Sequence, residues 1–102
     1  MSGYRESRRQ DARLIILKAI AAQADERLSS SFLQAELQRF MIDEPREWLH
    51  AELDWMESMG VVTLLRPEGA SVVIASLTET GARHLRRGVV VPGIARPARP
   101  EA

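Results

Sequence analysis

Nine consecutive residues, Leu14-Ile15-Ile16-Leu17-Lys18-Ala19-Ile20-Ala21-Ala22, contain one charged side chain. The stretch lies within a helical pattern from about Glu6 to Gln23, so it predicts a first helix that is apolar on nearly every side. Such a helix has to be sandwiched, and the rest of the chain must provide the elements that close over it. The run is far shorter than the roughly 20 residues needed to span a bilayer, so no membrane association is expected. The preceding segment, Met1 to Arg13, carries charge but no apolar stretch before a cleavage site, and it is not read as a signal peptide. A chain of 102 residues with 45% hydrophobic content can build one domain with its own core. It has no cysteine, which removes disulfide frameworks, thiolate zinc sites and redox pairs and fits a reducing cytoplasm.

Ala24 to Leu28 is polar and reads as a loop. Ser31-Phe32-Leu33-Gln34 has capping-box spacing and opens a short second helix, with Leu33, Leu37, Phe40 and Met41 on one stripe. A third helix begins at Asp43-Glu44-Pro45, where proline is tolerated and acids suit the helix dipole, and it closes at Gly60. Val61 to Leu65 and Ser71 to Ala75 are β-rich runs around Arg66-Pro67-Glu68-Gly69-Ala70, which predicts a hairpin. Thr78 can cap a fourth helix, Glu79 to Arg87, ended by Gly88. Beyond it, Pro92, Pro97 and Pro100 forbid helix and predict an extended, proline-rich tail over 89–102 following a domain over 1–88. The expected fold class is mainly α with a small β-hairpin.

The order helix, helix, helix, hairpin, helix is that of a winged helix-turn-helix. The sequence also resembles a family of small winged-helix proteins of Mu-like phages and prophages, from about Arg8 to Pro97. The resemblance rests on Arg9-Gln10-Asp11-Ala12-Arg13-Leu14, Glu52-Leu53-Asp54-Trp55-Met56 and Gly60-Val61-Val62-Thr63-Leu64. It continues through Leu77-Thr78-Glu79-Thr80-Gly81 and, most specifically, Val91-Pro92-Gly93-Ile94-Ala95-Arg96-Pro97. It implies a DNA-binding regulatory or accessory protein acting in the host bacterial cytoplasm.

The charge is neutral in total and uneven along the chain. Arg5, Arg8, Arg9, Arg13 and Lys18 outnumber Glu6 and Asp11 at the start, and Arg83, Arg86, Arg87, Arg96 and Arg99 outnumber Glu101 at the end. The middle is acidic. At about 100° per residue, Leu49, Leu53, Met56, Met59, Trp48 and Trp55 of the third helix form one apolar arc. The opposite arc presents Arg46, Glu47, His50, Asp54 and Glu57. A recognition helix uses that outward arc to read the major groove, yet its acids here outnumber its single arginine, and acids repel phosphate. Glu52 falls inside the apolar arc and calls for a cationic partner on the first or fourth helix.

No catalytic site is legible. Glu47-Trp48-Leu49-His50 has the Glu-x-x-His spacing of di-iron bundles, but the second such motif and the further glutamates are missing. Ser29, Ser30 and Ser31 have no nucleophile elbow around them, and no phosphate loop occurs. No cofactor or metal is expected. Candidate DNA contacts are Arg8, Arg9, Arg46, His50, Arg66, Arg86 and Arg87. The partners considered are double-stranded DNA and, alternatively, a phage or host protein bound by a winged-helix interaction module. A symmetric homodimer is also expected through the first helix and the tail, with Val89, Val91 and Ile94 at the interface.

Overall fold

Helix α1, Ser2–Ala21, runs through the middle of the domain, and the computed structural model describes residues 2–99. Its start lies before Glu6, whose carboxylate accepts bonds from Gln10 and Arg13 one and two turns on. Ala12, Ile16, Leu17 and Ile20 are fully buried, as the apolar stretch demands. The covering is partial, however. Leu14 and Ile15 remain half-buried on the outer side.

The segment expected as a loop contributes a short strand, β1, Arg27–Ser29. It carries one apolar residue, Leu28, so no local pattern announces it; its hydrogen bonds come from a strand far along the chain. Helix α2, Ser30–Arg39, is capped by Ser29, whose hydroxyl accepts from the Phe32 N–H, two residues earlier than the capping-box reading. Gln34 donates instead to the Glu44 carbonyl. Leu33 and Leu37 enter the core, but Phe40 and Met41 do not. After Arg39 the chain turns through a left-handed Met41 (φ 64), and Ile42 takes the buried place while Phe40 and Met41 stay in solvent.

Helix α3, Arg46–Ser58, follows Pro45 and buries Leu49, Glu52, Leu53 and Met56. Gly60 reverses the chain at φ 77, with the Val61 N–H returning to the Met56 carbonyl, a glycine-type helix ending. Strands β2, Val62–Leu65, and β3, Ile74–Leu77, pair antiparallel with Val62 opposite Leu77 and Leu65 opposite Ile74. β1 joins the other side of β3, Leu28 opposite Ala75, to give a three-stranded sheet in the order β1-β3-β2. The hairpin is therefore one part of a larger sheet. Ser71 to Val73 stay out of it because Val73 is held by Ser30: its N–H meets the Ser30 hydroxyl and its carbonyl the Ser30 N–H.

Thr78 caps helix α4, Glu79–Leu85, accepting from the Gly81 N–H and donating to the Gly60 carbonyl at 2.7 Å. Gly81 sits against the strand before it, and a Cβ added there would lie 2.4 Å from the Val61 carbonyl oxygen and 2.9 Å from a Leu77 methyl. Gly81→Ala must push α4 away from β2, an overpacking cost of about 1–3 kcal/mol. Urea unfolding is expected to show the lower midpoint with an unchanged slope.

The largest departure from expectation is the segment after α4. Val91 and Ile94 are buried in the same core as Ile16, Leu53 and Met56, and Val89 packs against it half-buried. They are intramolecular contacts, not a free interface. The prolines do prevent helix, but two apolar side chains this close to an incompletely covered α1 gain more by packing on it than by staying in water. The domain thus extends through Pro97, past the expected boundary at Gly88; positions 100–102 of the anticipated tail lie outside the described residues. Among the described residues no helix is long and apolar enough to cross a membrane.

Candidate nucleic-acid interface

The outward side of α3 is the first place to look for a nucleic-acid contact, and most of its charges are engaged within the chain. Asp54 pairs with Arg66 from the loop after β2, so the arginine at the hairpin tip answers an acid of α3. Glu57 accepts the Leu64 N–H at 2.9 Å and so covers part of the open edge of β2. His50 is half-buried, its Nε2 3.2 Å from the Ser30 hydroxyl, and it does not stand out from the helix as expected. That leaves Arg46 and Glu47, both exposed in the first turn. Among the described residues, neither takes part in an ion pair, so the helix offers one cation beside one acid.

Beneath that surface, Glu52 has the expected arginine partner. Arg13 of α1 donates Nε to Glu52 at 2.6 Å, and the two side chains are 7% and 8% exposed. Arg13 also donates to the Gly93 carbonyl at 2.7 Å and lies over the Trp55 ring, 3.9 Å from its centre. Gly93 lets the chain pass there: its φ is +91, and a Cβ would stand 2.6 Å from Trp55. This arginine is therefore a structural tie, although the sequence placed it among the basic residues of the chain start. Its spacing from Ile16, Leu17 and Ile20 puts it on the core side of α1, which is the signal that marks it.

Around this tie the two basic ends of the sequence come together. The Ala95 N–H donates to the Gln10 carbonyl of α1 at 3.1 Å, and the Ala95 carbonyl lies 3.0 Å from His84 Nε2 of α4. The Val91 N–H points at His84 Nδ1, so the ring proton belongs on Nε2 and donates to Ala95. Arg87 donates to the Pro97 carbonyl at 2.6 Å. Three segments thus meet at Ala95, and each brings exposed arginines: Arg5 and Arg9 from α1, Arg83 and Arg86 at α4, Arg96 and Arg99 beyond.

Not all of these cations are equal. Arg8 is held by Glu44 at 2.5 Å, Arg86 by Glu79 at 3.3 Å, and Arg9 lies 3.8 Å from Glu52 while remaining about half exposed. Arg87 is partly buried by its bond to Pro97. Among the described residues, Arg5, Arg83, Arg96 and Arg99 form no ion pair within the chain and stay exposed. Of the seven sequence candidates, then, Arg8 and Arg9 line one pocket of α1 with Arg5, Tyr4, Glu44 and Trp48, Arg86 lies at the end of α4, and Arg87 ties α4 to the segment after it. Arg46, His50 and Arg66 stay on α3 and the hairpin. Comparison with family models, with curated proteins and with solved structures finds no match for this chain.

Proposed function

We propose that the chain is a winged-helix protein that binds double-stranded DNA through phosphate contacts from α1, α4 and the segment after it, as a regulatory or accessory factor of the kind found in Mu-like phages. The observation that carries this reading is the meeting of both basic chain ends at Ala95. The order α1-β1-α2-α3-β2-β3, with β1 on the far side of β3, supports the winged-helix assignment. Exposed arginines without an internal counter-charge are the groups that neutralise phosphates and release counterions. Base reading by α3 has little to work with, since Arg66 and the acids beside it answer one another. Affinity on this reading is set by salt far more than by sequence.

The test is a duplex titration at low and moderate salt. Binding is expected in the range of roughly micromolar Kd at low salt, weakening steeply as salt rises. Arg83→Ala and Arg96→Ala are each expected to lower the salt slope by about 1, whereas Arg46→Ala leaves it nearly unchanged. A larger loss from Arg46 alone would return the contact to α3. Absence of binding at low salt would favour the second reading, a protein-interaction module, which the acidic outward side of α3 supports.

A further inference from the structure

We infer that the outer side of α1, together with the end of α2, is the contact face for a second copy of this chain. The inference is independent of the DNA reading, because Arg8, held by Glu44, is not among the unpaired arginines that carry that reading.

Tyr4, Arg8, Asp11 and Ile15 follow one another at spacings of four, three and four residues. That is the spacing of a seam packed by knobs into holes, and at about 100° per residue all four lie within roughly 60° of Asp11, opposite the buried Leu17 and Ile20. The seam is unpartnered. Tyr4 is 75% exposed, and Ile15 and Leu14 are half-buried. Beside it, Phe40 and Met41 at the end of α2 are 54% and 85% exposed. These side chains line one apolar groove of about 550 Å³, with Arg8 and Asp11 as the charged groups on its wall. Isolated apolar side chains on a surface are ordinary, but a contiguous set of two aromatics, a methionine, a leucine and an isoleucine is the signature of a contact surface.

The charges select the occupant. In an antiparallel seam, alternate heptad positions face each other across the twofold axis. If the axis passes α1 between Arg9 and Gln10, Arg8 of each copy meets Asp11 of the other, and Tyr4 of each copy meets Ile15 of the other. Arg8 keeps one guanidinium nitrogen on Glu44 of its own chain and offers its remaining N–H groups to Asp11 of the other copy. Both ion pairs thus form at once, and both aromatic rings cover a half-buried aliphatic side chain. Phe40 and Met41 then close the groove from the side. A parallel pair would set Arg8 against Arg8 and Asp11 against Asp11. The face is therefore complementary to itself in one orientation, which a second copy satisfies without any other partner.

Sedimentation of the full chain up to about 100 µM tests the idea. A concentration-dependent dimer is expected. Arg8→Asp and Asp11→Arg should each sediment as monomers, with circular dichroism confirming that the helices persist. An equimolar mixture of the two should restore a dimer, because acids in one copy then face arginines in the other. Met41→Asn changes an exposed position whose left-handed backbone suits asparagine, so it keeps the fold while weakening the dimer by about tenfold or more. A full-length chain that stays monomeric overturns the inference. So does a dimer indifferent to Met41→Asn, or a mixture of the charge variants that fails to pair.

Discussion

Replacing Arg13 with leucine is expected to lower the stability of the domain by about 3–5 kcal/mol, the usual consequence of leaving one partner of a buried ion pair behind. Glu52 would then lie buried with only Arg9 near it, at 3.8 Å. The leucine would recover some apolar contact but none of the bonds to Glu52 and Gly93, nor the stacking over Trp55. Glu52→Gln is expected to cost less, because the Gly93 carbonyl and Trp55 still hold the guanidinium. The double replacement, Arg13→Leu with Glu52→Leu, removes both charges and should recover much of the loss. Urea unfolding of the three variants supplies the comparison. If Arg13→Leu shifted the midpoint no more than a surface substitution does, the tie would be energetically idle.

Gly93→Ala should be the second most damaging small change, at roughly 2–4 kcal/mol. Two penalties coincide there: a left-handed backbone that alanine tolerates poorly, and a methyl directed at the Trp55 ring. The ring cannot retreat freely, since Arg13 lies over it. The segment around Ile94 would have to lift, taking the Arg13–Gly93 bond with it. Thermal unfolding followed by tryptophan fluorescence is well placed to see this, because Trp55 is next to the change. A variant with a wild-type melting temperature would mean that the chain crosses Trp55 elsewhere.

Contrasts between these residues explain how much could be read in advance. The inward arc of α3 was legible because a helix repeats every few residues, and Glu52 stood out as a carboxylate within it. That it needed a cationic partner on the first or fourth helix followed from electrostatics, and the fold supplies that partner from α1. Thr78 and Gly60 were legible because each acts on its immediate neighbours. β1 was not, since three residues with one leucine have no periodicity and their hydrogen bonds come from β3. The burial of Val91 and Ile94 was hidden for the same reason: proline excludes helix but does not say what an extended segment packs against. The charge balance of α3 was visible in outline, yet the pairings of Asp54 with Arg66 and of Glu57 with the Leu64 N–H depend on where the hairpin folds back. Of the basic residues, Arg83, Arg96 and Arg99 gained weight only when their segments met α1.

Arg13 and Gly93 stand 80 residues apart and are nevertheless bonded. For a chain emerging from the ribosome, α1 is made early and its covering late. Until the stretch around Ile94 has been released, the core side of α1 and Trp55 remain open to water and to chaperones, whatever α2 and α3 have already formed. Completion of this domain therefore waits on the residues around Ile94, and slow synthesis of that stretch would prolong the interval in which the apolar helix is exposed.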